Sequence, residues 1–463
     1  MALSFSISAT IFPPNQEESK FKNRKTAKGI ENARNLVKTS RVLSLATSPH
    51  ESLQKGNWVK LICGASFEDV VDIRNLSMVY TLAGVDCIDC AADAAVVSAV
   101  NEGIDAAMEV VELRRPWVMI SVNDDDDLHF RKAVIAEFDP DDCPMDCSRP
   151  CELVCPANAI KLDDHGGVIT ERCYGCGRCF PVCPYDKIRE VTYIRDVATT
   201  SELLRRSDVD AIEIHTSGRQ DLILQFCLWK TKKKKNYCDV CNVINLCDVC
   251  RQTDPFKELW DGLRNSTECM KLVAISLPYT GDSTMSVMNE MHSIMEPHLK
   301  CLNLWQLDGR PMSGDIGRGA TRESIAFAVR LAAAKDRPLG FLQLAGGTNA
   351  HTADGLRKEG LFQTTLGNSN DVRSVLASPS SAFIDGVAYG GYARKIVGRV
   401  LSSMPSQQGP GSIEDYPELL VEALGLALGL VGSHRDHALS QKKLFVDDVE
   451  LRIDEVEVRG WAN

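Results

Sequence analysis

From Trp58 onward, short apolar runs alternate with longer stretches in which apolar residues recur at helical spacing. Residues 59–64 form the first such run. The helical stretch 67–82 follows, with Val70, Val71, Ile73, Leu76 and Val79 on one side. A second run at 86–89 precedes an Ala/Val-rich helical stretch at 93–111, and a third run covers 116–122. Further runs of strand length lie at 211–215, 272–276, 302–307, 340–345 and 383–388. Eight strands separated by helices predict a (β/α)8-barrel-like parallel scaffold, with an open α/β sheet as the alternative. Residues 419–431 are apolar but interrupted by Glu422 and several glycines, and predict a buried helix.

Between the third and fourth strands the alternation stops and cysteines take over. Cys143, Cys147, Cys151 and Cys155 are spaced C-x3-C-x3-C-x3-C-P. Cys173, Cys176, Cys179 and Cys183 are spaced C-x2-C-x2-C-x3-C-P. The second spacing is that of bacterial two-cluster ferredoxins, in which the last cysteine of each run serves the other cluster. This predicts two [4Fe-4S] clusters, one on Cys143, Cys147, Cys151 and Cys183, the other on Cys173, Cys176, Cys179 and Cys155. The first run has one extra residue in two of its gaps, which leaves the nuclearity of its cluster more open. Two zinc sites are the alternative, although zinc knuckles are usually further apart. Disulfides fit such dense CxxC spacing less well. Between the runs, 160–162 and 166–169 read as a short hairpin turning at Gly166-Gly167.

Composition adds limits. The 463 residues carry a net charge of −11, which argues against general nucleic-acid binding. No apolar run has transmembrane length. The first fifty residues are rich in Ser, Thr, Lys and Arg and poor in acids, as in an organelle transit peptide, chloroplast rather than mitochondrial because early serines outnumber arginines. Residues 1–55 therefore read as a transit or disordered segment, 56–135 as N-terminal βα units, 136–195 as the ferredoxin-like module, 196–455 as C-terminal βα units and 456–463 as a tail. Oligomeric state leaves no mark on the sequence.

Segment 219–250 breaks the pattern. Two Arg-Gln pairs, at 219–220 and 251–252, flank a lysine run and the knuckles Cys238-Asp239-Val240-Cys241 and Cys247-Asp248-Val249-Cys250. Excising it joins 215–218 to 251–256 as an ordinary short βα loop, with Pro255 in the first helical turn. It reads as a spurious insertion rather than a metal site.

Other candidates are weaker. Gly314, Gly317 and Arg318 precede a helical run, and Gly346 and Gly347 follow the seventh strand; in a barrel both loops lie where a flavin or phosphorylated ligand would bind. His215 ends the fourth strand, a position suited to catalysis, though a lone histidine is more often structural. Cys87 and Cys90 point to opposite faces of a strand and read as structural. Cys63, Cys269 and Cys301 lie in or beside apolar strands and read as buried thiols. The acidic run 124–127 reads as a solvated loop.

The runs DCPMDCSRPCE at 142–152 and ERCYGCGRC at 171–179, with WQLDGRPMSGD at 305–315 and QLAGGTN at 343–349, resemble the LdpA family. These are the light-dependent period proteins of cyanobacteria and their plant relatives. The resemblance spans about 57–455, excluding 219–250. It implies an iron–sulfur protein that reports redox state and adjusts the circadian period to light, with the eight cysteines as ligands. A transit-type leader fits a plastid stroma, which lacks the cyanobacterial clock partners. Two functions follow as expectations. One is redox sensing or electron transfer with protein redox partners. The other is an iron–sulfur oxidoreductase acting on a ligand at the strand C-termini.

Overall fold

The computed structural model describes residues 16–40, 48–64, 69–124, 132–216, 253–277, 281–308, 318–361, 383–405 and 411–435, apart from short gaps within 140–195. Twelve strands occur among them: β1 Trp58–Gly64, β2 Cys87–Ala91, β3 Trp117–Asn123, β4 Lys132–Glu137, β5 Ile160–Lys161, β6 Gly167–Val168, β7 Arg189–Ile194, β8 Ala211–His215, β9 Leu272–Leu277, β10 Leu302–Leu307, β11 Phe341–Leu344 and β12 Gly386–Tyr389. β1, β2, β3, β8, β9, β10, β11 and β12 form a closed parallel barrel. Trp58 pairs with Gly386, Val59 with Val387, Lys60 with Ala388 and Leu61 with Tyr389, which joins the last strand to the first and excludes the open sheet.

The same device stitches three strand starts together. Asp86, just before β2, accepts the Val59 amide at 2.8 Å. Asp210, before β8, accepts the Val118 amide at 3.0 Å, and Asp385, before β12, accepts the Leu342 amide at 2.7 Å. Each carboxylate caps the second residue of a neighbouring strand, where the ladder would otherwise leave a donor unmet. Arg114 and Arg435 both bind Asp86 and neutralise it.

Period two sorts the strand residues. One set faces outward into the helices and builds the main core, with Val59, Leu61, Ile88, Val118, Ile120, Ile212, Ile214, Val273, Ile275 and Leu342 among its members. The other set faces the barrel axis. At the N-terminal end it is apolar: Trp58, Cys87, Trp117, Met119, Ala211, Leu272, Ala274 and Leu304, with Trp58 and Trp117 edge to face at 5.6 Å. A Cβ on Gly386 would lie 2.6 Å from Trp58, so only glycine leaves room for that indole. Leu53, from helix α2 (Pro49–Gln54), closes this end.

The ordered chain therefore starts ahead of residue 56. Helix α1 (Gln16–Thr39) buries Ala33 and Val37 and lies against the helix Pro417–Arg435. Ile30, Ala33 and Val37 repeat at helical spacing, a signal that the Ser/Lys/Arg-rich composition masks. Residues 1–15 and 41–47 of the expected leader lie outside the described residues. The apolar run at 419–431 is part of the buried helix Pro417–Arg435, as expected. Among the described residues, no helix is long and apolar enough to cross a membrane.

The cysteine segment leaves the barrel after β3 and returns at β8. β4 and β7 pair antiparallel as its stem, and β5 pairs antiparallel with β6 as expected, Ile160 opposite Val168, but Gly167 stands in β6 opposite Lys161 rather than in the turn, and 162–166 lie outside the described residues. Helices α3 (Val70–Leu82) and α4 (Ala94–Val110) cover the adjoining side of the barrel. Cys87 faces the barrel axis, whereas Cys90 faces the helices, and both are buried. Cys63 is buried and Cys301 half-buried, but Cys269 is exposed, contrary to expectation. It closes a 3-10 turn ahead of β9 and lies outside the strand itself.

Candidate functional site

The cysteine module repeats one local design twice. Cys155-Pro156-Ala157-Asn158-Ala159 and Cys183-Pro184-Tyr185-Asp186-Lys187 each place the third residue after the cysteine in the left-handed region, with φ of 48° at Asn158 and 51° at Asp186. The next amide then turns back onto the thiol: Ala159 N–H donates to Cys155 Sγ at 3.1 Å and Lys187 N–H to Cys183 Sγ at 3.4 Å. Ala136 of β4 donates to Cys173 Sγ at 3.3 Å, and Arg149 to Cys147 Sγ at 3.5 Å. Cys151 and Cys179 are buried in a small apolar core with Ala136, Ile160 and Ile188.

Two groupings of thiols emerge. One cavity is lined by Cys155 together with Cys173, Cys176 and Cys179, beside Gly177 and Arg178. Burial, then the neighbouring thiols of Cys176, Cys173 and Cys155, pushes Cys179 up to about 12. On the other side, Cys143 is raised by burial and then by Cys147 and Cys183, and Cys151 feels Cys183 and Cys143. Burial also acts on Cys183, but the backbone N–H groups of Lys187, Tyr185, Ile188 and Asp186 outweigh it and hold this thiol below its usual value. Sulfur donors that receive backbone N–H bonds are the chemistry iron–sulfur ligation uses.

A second constellation fills the C-terminal half of the barrel interior. Buried Lys60 of β1 donates to Glu213 of β8 and to Met119 Sδ at 3.5 Å. Glu213 also accepts from Gln306 Nε2 at 2.5 Å and lies 3.2 Å from His215 Nε2. Gln343 donates to Gln306 at 2.8 Å, and Trp58 Nε1 to Gln343 at 2.6 Å, so a hydrogen-bonded chain runs across the barrel. Ser121 donates to Asp89, and Ser276 to half-buried Asp308. Burial alone would lower Lys60, but Glu213 and then Asp89 reverse this and keep it protonated. Burial, reinforced by Glu213, pushes Asp89 up to about 7.

Of these residues the sequence reading singled out only His215. The signal was present: Lys60, Asp89, Ser121, Glu213, Ser276, Gln306 and Gln343 each stand as one polar residue between apolar neighbours in a barrel strand.

The second glycine loop packs on the backbone of Asp308, a member of this constellation. Gly314 and Gly317 lie outside the described residues, and Arg318 begins the helix Arg318–Ala333. A Cβ on Gly346 would fall 1.5 Å from the Asp308 carbonyl oxygen, so this glycine serves close backbone approach. Gly347 has φ 61°, and its carbonyl accepts from Thr321 at 2.5 Å. Asp124 is buried, with its amide on the His215 carbonyl at 2.9 Å, while 125–127 and 219–250 lie outside the described residues.

Comparison with known proteins agrees with the chemistry of the module. Residues 143–194 match the LdpA Fe-S cluster-binding domain, and residues 238–433 match the light dependent period A C-terminal domain. The second match begins inside segment 219–250. Among solved structures, the carboxyl transferase domain of Rhizobium etli pyruvate carboxylase is similar at 9% identity and a TM-score of 0.34 over 86% of this chain, which spans about half (52%) of that one. Light dependent period A of Synechococcus elongatus is 39% identical over 395 residues, 84% of this chain and 94% of that protein. The chain belongs to the light dependent period A family and is an iron–sulfur protein of that type.

Proposed function

We propose that this chain is a redox-sensing or electron-transfer protein that holds two [4Fe-4S] clusters in a crossed ligand set. Cys143, Cys147, Cys151 and Cys183 would hold one, and Cys173, Cys176, Cys179 and Cys155 the other. The observation that carries this reading is the cavity in which Cys155, from the first run, stands with three cysteines of the second. When bound, the clusters supply one-electron chemistry. The chain supplies thiolates and the N–H groups of Ala136, Arg149, Ala159 and Lys187 directed at sulfur, which favour added negative charge. Burial and then Asp69 raise Asp72 at the start of α3, and Arg178, which lines the cavity, partly offsets them, so a charge change at the cysteines would be felt by the helices around the barrel. Protein redox partners would read that change, linking light-dependent redox state to plastid or circadian regulation. The stroma is the compartment we propose, from the composition of the first residues.

A second reading, an iron–sulfur oxidoreductase serving a flavin or phosphorylated ligand, is favoured by the buried charged groups at the C-terminal ends of the barrel strands, where barrel enzymes place their chemistry. A flavin spectrum in protein purified without oxygen would support it, and clusters alone would support the sensor.

The test of the main reading is anaerobic iron and sulfide quantitation with EPR of the reduced protein. About eight iron and eight sulfide per chain are expected. Cys183→Ser and Cys155→Ser should each remove a different spectral component. Preparations that hold zinc alone, or no metal, would overturn the proposal.

A further inference from the structure

We propose that Asp89, Glu213 and His215 form a divalent-cation site inside the barrel, near its C-terminal end and independent of the cysteine module. Each of the three offers a ligand atom, and these atoms lie within 4.8 Å of one another. The three come from β2 and β8, strands separated in the barrel by β3 alone, whose Ser121 donates to Asp89 and fixes its orientation. All three are buried: Asp89 and Glu213 are 0% exposed and His215 is 7% exposed.

Two atoms in this cluster point to a missing ligand. Asp89 Oδ2 and His215 Nδ1 have no hydrogen-bond partner among the described residues. A buried carboxylate oxygen or imidazole nitrogen left so is costly. The cluster is also rich in acidic oxygens: the carboxyl groups of Asp89, Glu213 and Asp308 lie around the Lys60 ammonium, which Glu213 holds.

The donor set selects the ion class. An imidazole nitrogen with carboxylate oxygens suits Mn2+, Fe2+ or Zn2+ better than Ca2+ or Mg2+, which prefer oxygen throughout. Ser121 on Asp89 and Gln306 on Glu213 would hold the ligands in place, as orienting groups around metals do.

The test uses Mn2+ alone, added to the cluster-loaded full chain without oxygen and followed by the EPR signal of free Mn2+. One saturable site per chain is expected. Asp89→Asn and His215→Gln should each weaken it by more than ~10-fold, a loss typical even of groups that only orient a ligand. Cys183→Ser should leave Mn2+ affinity unchanged, so a failed cluster assignment and a failed cation site give different results. Diffraction recorded between the Mn and Fe absorption edges should place the ion between β2 and β8, which decides the matter even if the variants do not fold. No saturable uptake by the unaltered chain, unchanged affinity in both folded variants, or an ion placed elsewhere would overturn the proposal.

Discussion

Asn158 and Asp186 share one backbone conformation, φ 48° and 51°, three residues after Cys155 and Cys183 respectively. In both cases the left-handed turn swings the following amide onto the cysteine sulfur. Asn and Asp tolerate this region better than other residues with a Cβ, and β-branched residues tolerate it least. Asn158→Gly should therefore retain cluster content and stability within about 0.5 kcal/mol, whereas Asn158→Val should cost about 1–2 kcal/mol. Anaerobic denaturant titration with parallel iron analysis checks both. Equal behaviour of the two variants would show that the turn does not depend on this conformation.

Gly346 provides a contrast between close approach and idle freedom. An alanine there would drive its Cβ into the Asp308 backbone, at 1.5 Å from the carbonyl oxygen, and neither backbone is free to retreat without disturbing β10 or β11. Gly425, inside the helix Pro417–Arg435, has nothing within 4 Å of the equivalent position. Gly346→Ala should cost about 3 kcal/mol or more, as a strained backbone with overpacking does. Gly425→Ala should stabilise the protein by about 0.5–1 kcal/mol, because alanine restricts the unfolded chain and suits a helix. Thermal unfolding of the two variants side by side gives opposite signs if this is right.

These contrasts show what the sequence does and does not reveal. The barrel strands were legible because apolar runs such as Leu272–Leu277 and Leu302–Leu307 are short, regularly spaced and separated by helix-length stretches. The cysteine module was legible because its spacing is restrictive. The charged interior was not, because Lys60, Asp89 and Glu213 each stand alone between apolar residues and are some thirty to over a hundred positions apart. Only closure of β12 onto β1 turns these residues toward one axis. Helix α1 was hidden for a different reason: Ala33 and Val37 are few and small, and their burial depends on a helix near the far end of the chain.

The Lys60–Glu213 pair makes the energetics of that interior measurable. Both side chains are fully buried, so in metal-free protein removing one partner takes from the other the counter-charge bonded to it. Lys60→Met should destabilise the protein by about 3–5 kcal/mol. Adding Glu213→Gln removes the stranded charge and should recover a large part of that loss, since a buried pair contributes less than breaking it costs. A double-mutant cycle by denaturant unfolding checks this. Additive losses in the double variant would mean that the two groups act separately.

His434 sets an acid limit on the fold. Burial, then the positive charges of Arg435 and Arg357, lowers this imidazole from its ordinary 6.5 to about 3. The folded protein therefore holds the neutral ring, while the unfolded chain takes up a proton once pH drops below about 6.5. More protons bound by the unfolded state means that stability falls as pH falls. The loss begins near pH 6.5 and is complete near pH 3, and is on the order of 3 kcal/mol once relaxation around the ring is allowed for. His434→Gln removes the titration while keeping a side chain of similar length. Its stability should fall less steeply than that of the unaltered chain between pH 6.5 and 4, and its acid midpoint should move to lower pH. The ion pair of Arg206 with Asp208, whose carboxyl is held below its ordinary value by the Arg206 hydrogen bond, adds acid sensitivity only at still lower pH and persists in the variant. Parallel slopes for the two proteins across pH 6.5 to 4 would show that His434 is not the group responsible.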